Sequence, residues 1–155
     1  MPAILFICTA NLFRSPMAEA ILCDHLLSKG YLQSWRVASA GIAAVEGQSA
    51  PTLVKQAMAD RGLDIASHKS RLVTKEMLGQ FDLILVMEGR HREVLQLQYP
   101  ETVKRVALLS EMAGLTFDIA DPNHTSLPSI QATAREIDGL LRRGWQRMQL
   151  METHV

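Results

Sequence analysis

The stretch ICTANLFRSP, residues 7–16, sets a cysteine directly behind the apolar run AILFI, an arginine six residues later, and Ser15-Pro16 immediately after. A thiol and a guanidinium at this spacing suit chemistry on a phosphate dianion. Fully extended, the seven residues from Cys8 to Arg14 would span about 23 Å at about 3.3 Å each. Joining a strand to a helix on one sheet face, they must curl instead. The backbone N–H groups of Thr9, Ala10, Asn11, Leu12 and Phe13 then point into one hollow, and the dipole of the following helix adds to its attraction for an anion. Arg14, closing the loop, can grip two phosphate oxygens at once. Cys8 lies at the bottom, where the same donors favour its thiolate and the Ser15 hydroxyl is within reach. A thiolate beneath a bound phosphate is placed for in-line attack on phosphorus, giving a cysteinyl-phosphate that water later hydrolyses. The plain alternative makes Cys8 a small buried hydrophobe and Arg14 a surface charge. The strand before the loop and the Ser-Pro helix start after it weigh against that.

The elements that must hold this loop are legible in outline. AILFI (3–7) is a continuous apolar run of the kind a buried parallel strand needs. The spacing of Ala18, Ile21, Leu22 and Leu26 predicts a helix from about Ser15 to Lys29-Gly30, with Ser15 as its cap and Pro16 in its first turn. WRVASA (35–40) reads as a second strand stopped by Gly41, residues 51–62 as a helix, FDLILVM (81–87) as a third strand, HREVLQLQ (91–98) as a short helix and VKRVALL (103–109) as a fourth strand. Ile130, Ala134, Ile137, Leu141, Trp145 and Met148 share one face of a final helix from about Leu127 to Met148. Strands alternating with helices predict an α/β fold, a parallel sheet flanked by helices with right-handed crossovers. Such sheets bind ligands at the carboxyl ends of their strands, which is where residues 8–14 fall.

The bulk numbers narrow the field. The 155 residues suit one domain, expected over 1–155. Sixteen Lys+Arg balance sixteen Asp+Glu, so neither a nucleic-acid surface nor a polybasic membrane patch is expected. No apolar run approaches the roughly 20 residues of a spanning helix, and MPAILFIC lacks the basic start of a secretory signal, so a cytoplasmic protein is expected. Of the two cysteines, Cys23 would lie about eight residues into the first helix, roughly 12 Å along its axis at about 1.5 Å per residue. That exceeds the Cα separation of about 7 Å that a disulfide with Cys8 allows, so both are expected as thiols. With no Cys or His at ligand spacing beside them, no metal or other cofactor is expected.

LFICTANLFRSPMAEA closely resembles the signature of the low-molecular-weight protein tyrosine phosphatases, Cys-x-Gly-Asn-x-Cys-Arg-Ser-Pro-x-Ala-Glu behind a first strand. The resemblance extends through SAG (39–41), SHKSR (67–71), DLILVM (82–87) and Asp121-Pro122 before the long final helix. It implies a four-stranded parallel sheet with the phosphate-binding loop after the first strand. It implies Cys8 as nucleophile, Arg14 as phosphate clamp, Asn11 in a left-handed turn, Ser15 bonded to the Cys8 sulfur, and Ser39 and His68 as supports of the loop. Without the resemblance, His68 reads as a surface histidine. Asp121 matches the family's general acid, a role that fits the chemistry: a phenol leaving group needs a proton, and the resulting carboxylate can then activate water. Pro122 stiffens the segment that carries it. Asp118 is the rival, and either Asp could be a turn residue. The implied partner is a phosphotyrosine protein or a small aryl phosphate; the sequence does not name the oligomeric state, and a monomer is the expectation.

The chain departs from the signature at four points. Ala10 replaces Gly, which is costly only if that residue needs positive φ. Phe13 replaces a second cysteine that could protect the nucleophile as a disulfide. Asn123 and His124 follow Asp121-Pro122 where aromatic residues often line the substrate slot, so Phe13 is expected to supply the aromatic wall. Some bacterial members act on phosphoarginine, where a polar rim would hold the guanidinium; Leu12 beside Phe13 favours a flat aryl ring. Two other functions share the fold: a thiol-dependent arsenate reductase, which needs further cysteines beyond the nucleophile, and a module that binds phosphate without turnover.

Overall fold

The structure is a computed structural model that describes residues 1–152; the last three residues of the expected 1–155 domain lie outside it. Four parallel strands, β1 (Ala3–Cys8), β2 (Arg36–Gly41), β3 (Leu83–Val86) and β4 (Val106–Leu108), form one sheet in the order β2-β1-β3-β4. The helices are α1 (Arg14–Lys29), α2 (Thr52–Ala59), α3 (Lys75–Leu78), α4 (Gly89–Gln98), α5 (Leu109–Met112) and α6 (Leu127–Glu152). β1 is central and buried along its whole length, which is why it reads as unbroken apolar sequence. Its side chains alternate between two cores. Ala3, Leu5 and Ile7 join residues such as Leu78, Leu95 and Val86 on one face. Ile4, Phe6 and Cys8 join residues of α1, α2 and α6, including Leu22, Val54 and Ile137, on the other. Leu5, Phe6 and Ile7 are fully buried. At about 1.5–3 kcal/mol for each large side chain so buried, the strand is a firm base for the loop that leaves it.

The order also makes a switch point. The chain leaves β1 toward β2 on one side and returns to β3 on the other, so a crevice opens at the carboxyl ends of β1 and β3. In register, Cys8 lies beside Gly41 and Ile7 beside Val86. Among the described residues no helix is long and apolar enough to cross a membrane.

Several boundaries differ from the sequence reading. The expected 103–109 strand shrinks to β4, because Pro100 opens a 3₁₀ turn over Pro100–Arg105, pinned where the Thr102 amide and hydroxyl both donate to Tyr99 O, and Leu109 already begins α5. Trp35 ends a short 3₁₀ turn rather than starting β2. The 51–62 helix stops at Ala59, and Gly62 takes φ 76° beyond it. α4 begins at Gly89, two residues early, with Glu88 at its cap position, the Glu88 amide donating to His91 Nδ1 and the Gly89 amide to Asp118 Oδ1. α6 runs on to Glu152. α1 starts at Arg14 with Phe13 at its cap position and no side-chain cap, so Ser15 is not the cap; its hydroxyl is committed to Cys8.

Candidate active site

The loop from Thr9 to Phe13 is built around Asn11, which is wholly buried and the one non-glycine residue with positive φ (60°) among the described residues. Asn tolerates this conformation better than most residues. Every polar group of its side chain is occupied. Nδ2 donates to Ser15 Oγ at 2.9 Å and to Ser39 Oγ at 3.0 Å, and Oδ1 accepts the Arg71 amide at 2.9 Å. Its carbonyl is 2.8 Å from His68 Nε2, which can donate to it. The Ser39 hydroxyl in turn donates to Glu19 Oε1 at 2.6 Å. Ala10 has negative φ, so the absent glycine costs nothing there.

Gly41 explains how β2 reaches the loop. A Cβ on it would stand 2.5 Å from Thr9 O and 2.9 Å from Asn11 N, so no other residue fits without moving the loop backbone. The helical ladder of α1 begins where Met17 N–H meets Phe13 O, and Pro16 has no N–H. The Arg14 and Ser15 amides therefore have no partner within the helix, as at any helix start, and are available to an anion.

At the base of the loop, Cys8 Sγ lies 2.9 Å from Ser15 Oγ. Because Ser15 Oγ already accepts from Asn11, its own proton is free to point at the sulfur, the nearer of its two acceptors; Ala40 O is 3.4 Å away. Arg14 is 2% exposed. Its Nη1 is anchored on Ile119 O at 2.7 Å and Glu88 Oε2 at 3.1 Å, its Nη2 reaches Thr9 Oγ1 at 3.5 Å, and its buried Nε has no hydrogen-bond partner. An unpaired donor on a buried guanidinium is costly unless a ligand takes it.

Glu88 and His91 arrive from the end of β3. Burial works to raise the Glu88 carboxyl, but the hydrogen bond and charge of Arg14, with Arg90 and His91, outweigh it and hold the group below its ordinary range. His91 is fully buried; that burial, reinforced by the Arg14 charge, lowers it to about 4. The Glu88 amide donates to His91 Nδ1 at 3.1 Å, so the ring proton sits on Nε2 and is donated to Thr9 Oγ1 at 2.9 Å. Arg90 Nη2 donates to the same hydroxyl at 2.6 Å.

Asp121 is half-exposed, with Oδ1 3.8 Å from Arg14 Nε. His124 Nε2 is 3.1 and 3.0 Å from its two carboxyl oxygens. Asp118 is engaged elsewhere, accepting the Gly89 amide at the start of α4 at 2.8 Å. Phe13 is 8% exposed, because the His124 imidazole lies flat on it at 3.9 Å between centroids and 13° between planes. The slot wall expected of Phe13 is thus faced by His124. A buried thiol, an anchored guanidinium with a free Nε and a carboxyl beside it can together bind a phosphoryl group, attack it and protonate what leaves.

Comparison with known proteins settles the family. The family model described as low molecular weight phosphotyrosine protein phosphatase matches residues 3–152. The chain belongs to that family. It is a protein tyrosine phosphatase, a hydrolase whose fold is the one described above. It is 37% identical over 128 residues to the probable low molecular weight protein-tyrosine-phosphatase EpsP of Ralstonia nicotianae, with 83% of each chain covered. It is 32% identical over 147 residues to the protein-arginine-phosphatase of Geobacillus stearothermophilus, covering 94% of this chain and 95% of that one. The crystal structure of the low molecular weight protein tyrosine phosphatase from T. tengcongensis superposes with a TM-score of 0.89 at 33% identity, covering 95% of this chain and 99% of that one.

In this phosphatase the residues singled out in the sequence converge. Cys8, Thr9, Asn11, Arg14, Ser15, Ser39 and His68 are joined by hydrogen bonds through one loop, and Asp121 approaches Arg14. Sequence reasoning passed over Glu88, Arg90 and His91. The available signal was Glu88-x-x-His91 directly after the clearest strand, at the same sheet edge as Cys8. Cys23 is half-buried, and burial first, then Glu19, raises its thiol to about 11. That leaves little thiolate for the relay an arsenate reductase needs. Among the described residues no group of three or more His, Cys, Asp or Glu could hold a metal.

Proposed function

We propose that the chain dephosphorylates phosphotyrosine in proteins or small aryl phosphates, with Cys8 as nucleophile, Arg14 as clamp and Asp121 as acid and then base. The observation that carries this reading is the Arg14 guanidinium, fixed through Nη1 and left with an unpaired Nε beside Cys8's loop. The phosphoryl group binds against the loop amides and Arg14. Cys8 Sγ attacks phosphorus, a P–S bond forms, the P–O bond to the phenol breaks, and the departing oxygen takes the proton of Asp121. Water then attacks phosphorus and gives a proton to the Asp121 carboxylate. The P–S bond breaks, releasing phosphate and the Cys8 thiolate, which the Ser15 hydroxyl stabilises.

An aryl substrate is favoured over phosphoarginine because Leu12 and the stacked Phe13–His124 pair set aliphatic and flat surfaces beside the phosphate loop. The test is a side-by-side measurement of kcat/KM on a phosphotyrosine peptide, a phosphoarginine peptide and arsenate with reductant, with Cys8→Ser as control. The phosphotyrosine peptide is expected to lead, and Cys8→Ser to bind phosphate without turnover. A higher kcat/KM on phosphoarginine overturns the substrate reading, and turnover by Cys8→Ser overturns the covalent route.

A further inference from the structure

The His124 side chain touches both Asp121 and the loop that follows Cys8. Its ring is parallel to Phe13, the residue just before the clamp Arg14, and its Nε2 bridges both oxygens of Asp121. Both His124 and Asp121 are about half-exposed, at 53% and 49%, so neither is held by burial. Beneath them the buried Arg14 stands 3.8 Å from Asp121 Oδ1. A carboxylate on a turn, free to move, would be drawn down onto that guanidinium, into space the phosphoryl group needs. A donor that spans both oxygens from the side fixes the carboxyl plane and keeps it at the rim. The donor can do so only because stacking fixes its own ring.

Resting on the reading of Asp121 as the acid, we propose that His124 is its positioning residue, clamping the carboxyl at the edge of the hollow through the Phe13 stack. The proton given to the leaving oxygen is that of Asp121; His124 keeps its own throughout. Two properties of His124, ring and N–H, are needed together, and they can be separated by substitution. His124→Phe retains the stack and loses the donor. His124→Gln retains an N–H donor and loses the ring.

The experiment measures kcat and KM of wild type, His124→Phe, His124→Gln and Asp121→Asn on phenyl phosphate and p-nitrophenyl phosphate, with the inhibition constant of inorganic phosphate reporting the loop. His124→Phe is expected to lower kcat/KM on phenyl phosphate about tenfold, a part of the about 10²–10⁴-fold a positioned acid contributes, and less on p-nitrophenyl phosphate, whose phenolate leaves unprotonated. Phosphate inhibition should stay within about twofold, and His124→Gln, a donor with no stacked ring to hold it, should show a loss of similar size; a His124→Gln enzyme as active as wild type overturns the need for the stack. Equal falls of kcat/KM on the two substrates overturn the proposal and leave His124 a slot wall. If Asp121→Asn itself shows no leaving-group dependence, the acid assignment falls and this inference with it. If Asp121→Asn shows that dependence and His124→Phe does not, only the role of His124 falls.

Discussion

Asn11 Nδ2 donates to Ser39 Oγ at 3.0 Å, tying the turn of the phosphate loop to the strand beside it. Through that bond the left-handed residue of the loop is fastened to β2 and on to Glu19 of α1. A loop that must present its amides to an anion without reorganising needs such fastening, because preorganised donors act most strongly on developing charge.

Asn11 carries two separable costs. Left-handed backbone costs an ordinary residue about 1–2 kcal/mol, and each buried group left unpaired costs about 1–3 kcal/mol. Asn11→Ala incurs both, whereas Asn11→Gly incurs only the second. Urea unfolding should show both variants destabilised, with Asn11→Ala lower by about 1 kcal/mol. Coincident curves for the two would show that φ 60° is not held under strain.

Gly41→Ala places a methyl group 2.5 Å from the Thr9 carbonyl, against backbone that cannot swing aside. Overpacking of this kind costs about 1–3 kcal/mol, and here the part that must yield is the loop itself. Weaker inhibition by inorganic phosphate should accompany the lower unfolding midpoint. A variant that binds phosphate like the wild type would show that the loop accommodates the methyl group freely.

His91 should stay neutral through the working range of the enzyme. Burial, and next the Arg14 charge, lower it to about 4, so the neutral Nε2–H form persists well below the ordinary value of 6.5. Nitrogen NMR of the ring should report that tautomer down to about pH 5. A protonation midpoint near 6.5 would contradict the burial seen here and reopen His91 as a source of pH dependence.

The Asp138 carboxylate of α6 accepts from His25 of α1 at 2.6 Å and from Arg61 at 2.6 Å. Burial tends to raise Asp138, but the hydrogen bonds from Arg61 and His25 prevail and lower it from 3.8. Burial lowers His25 from 6.5, against the pull of Asp138. For both groups the unfolded chain takes up the proton first as the solution is acidified. The His25 contribution is present above about pH 6.5 and fades below it, and that of Asp138 fades below about pH 4, through its lower folded value. Asp138→Asn should cost about 1.5–3 kcal/mol at neutral pH, the range for hydrogen bonds to a charged group, and progressively less from about pH 4 toward pH 3, as the Asp138 carboxylate itself takes up a proton. Urea midpoints below about pH 4 check the sign; a gap that widens there would reverse it.

What the sequence determined by itself is what lies close along the chain. Cys8, the curled loop, Arg14 and Ser15 fall within eight consecutive residues, and the strand before and helix after leave the loop one way to turn. The parallel sheet was legible for a similar reason: β1 is buried on both faces and so carries no polar interruption. The tertiary structure alone decided which distant groups complete the site. Thr9 and His91 are 82 residues apart, and Arg14 and Ile119 are 105 apart. They meet because β1 pairs with β3 and because α6 folds back on α1, packing that no local pattern encodes. It also gave Asp118 and Asp121, either of which reads as a turn residue, different surroundings. Asp118 accepts the amide of Gly89 at the start of α4, and Asp121 lies 3.8 Å from Arg14 Nε, beside a histidine stacked on Phe13.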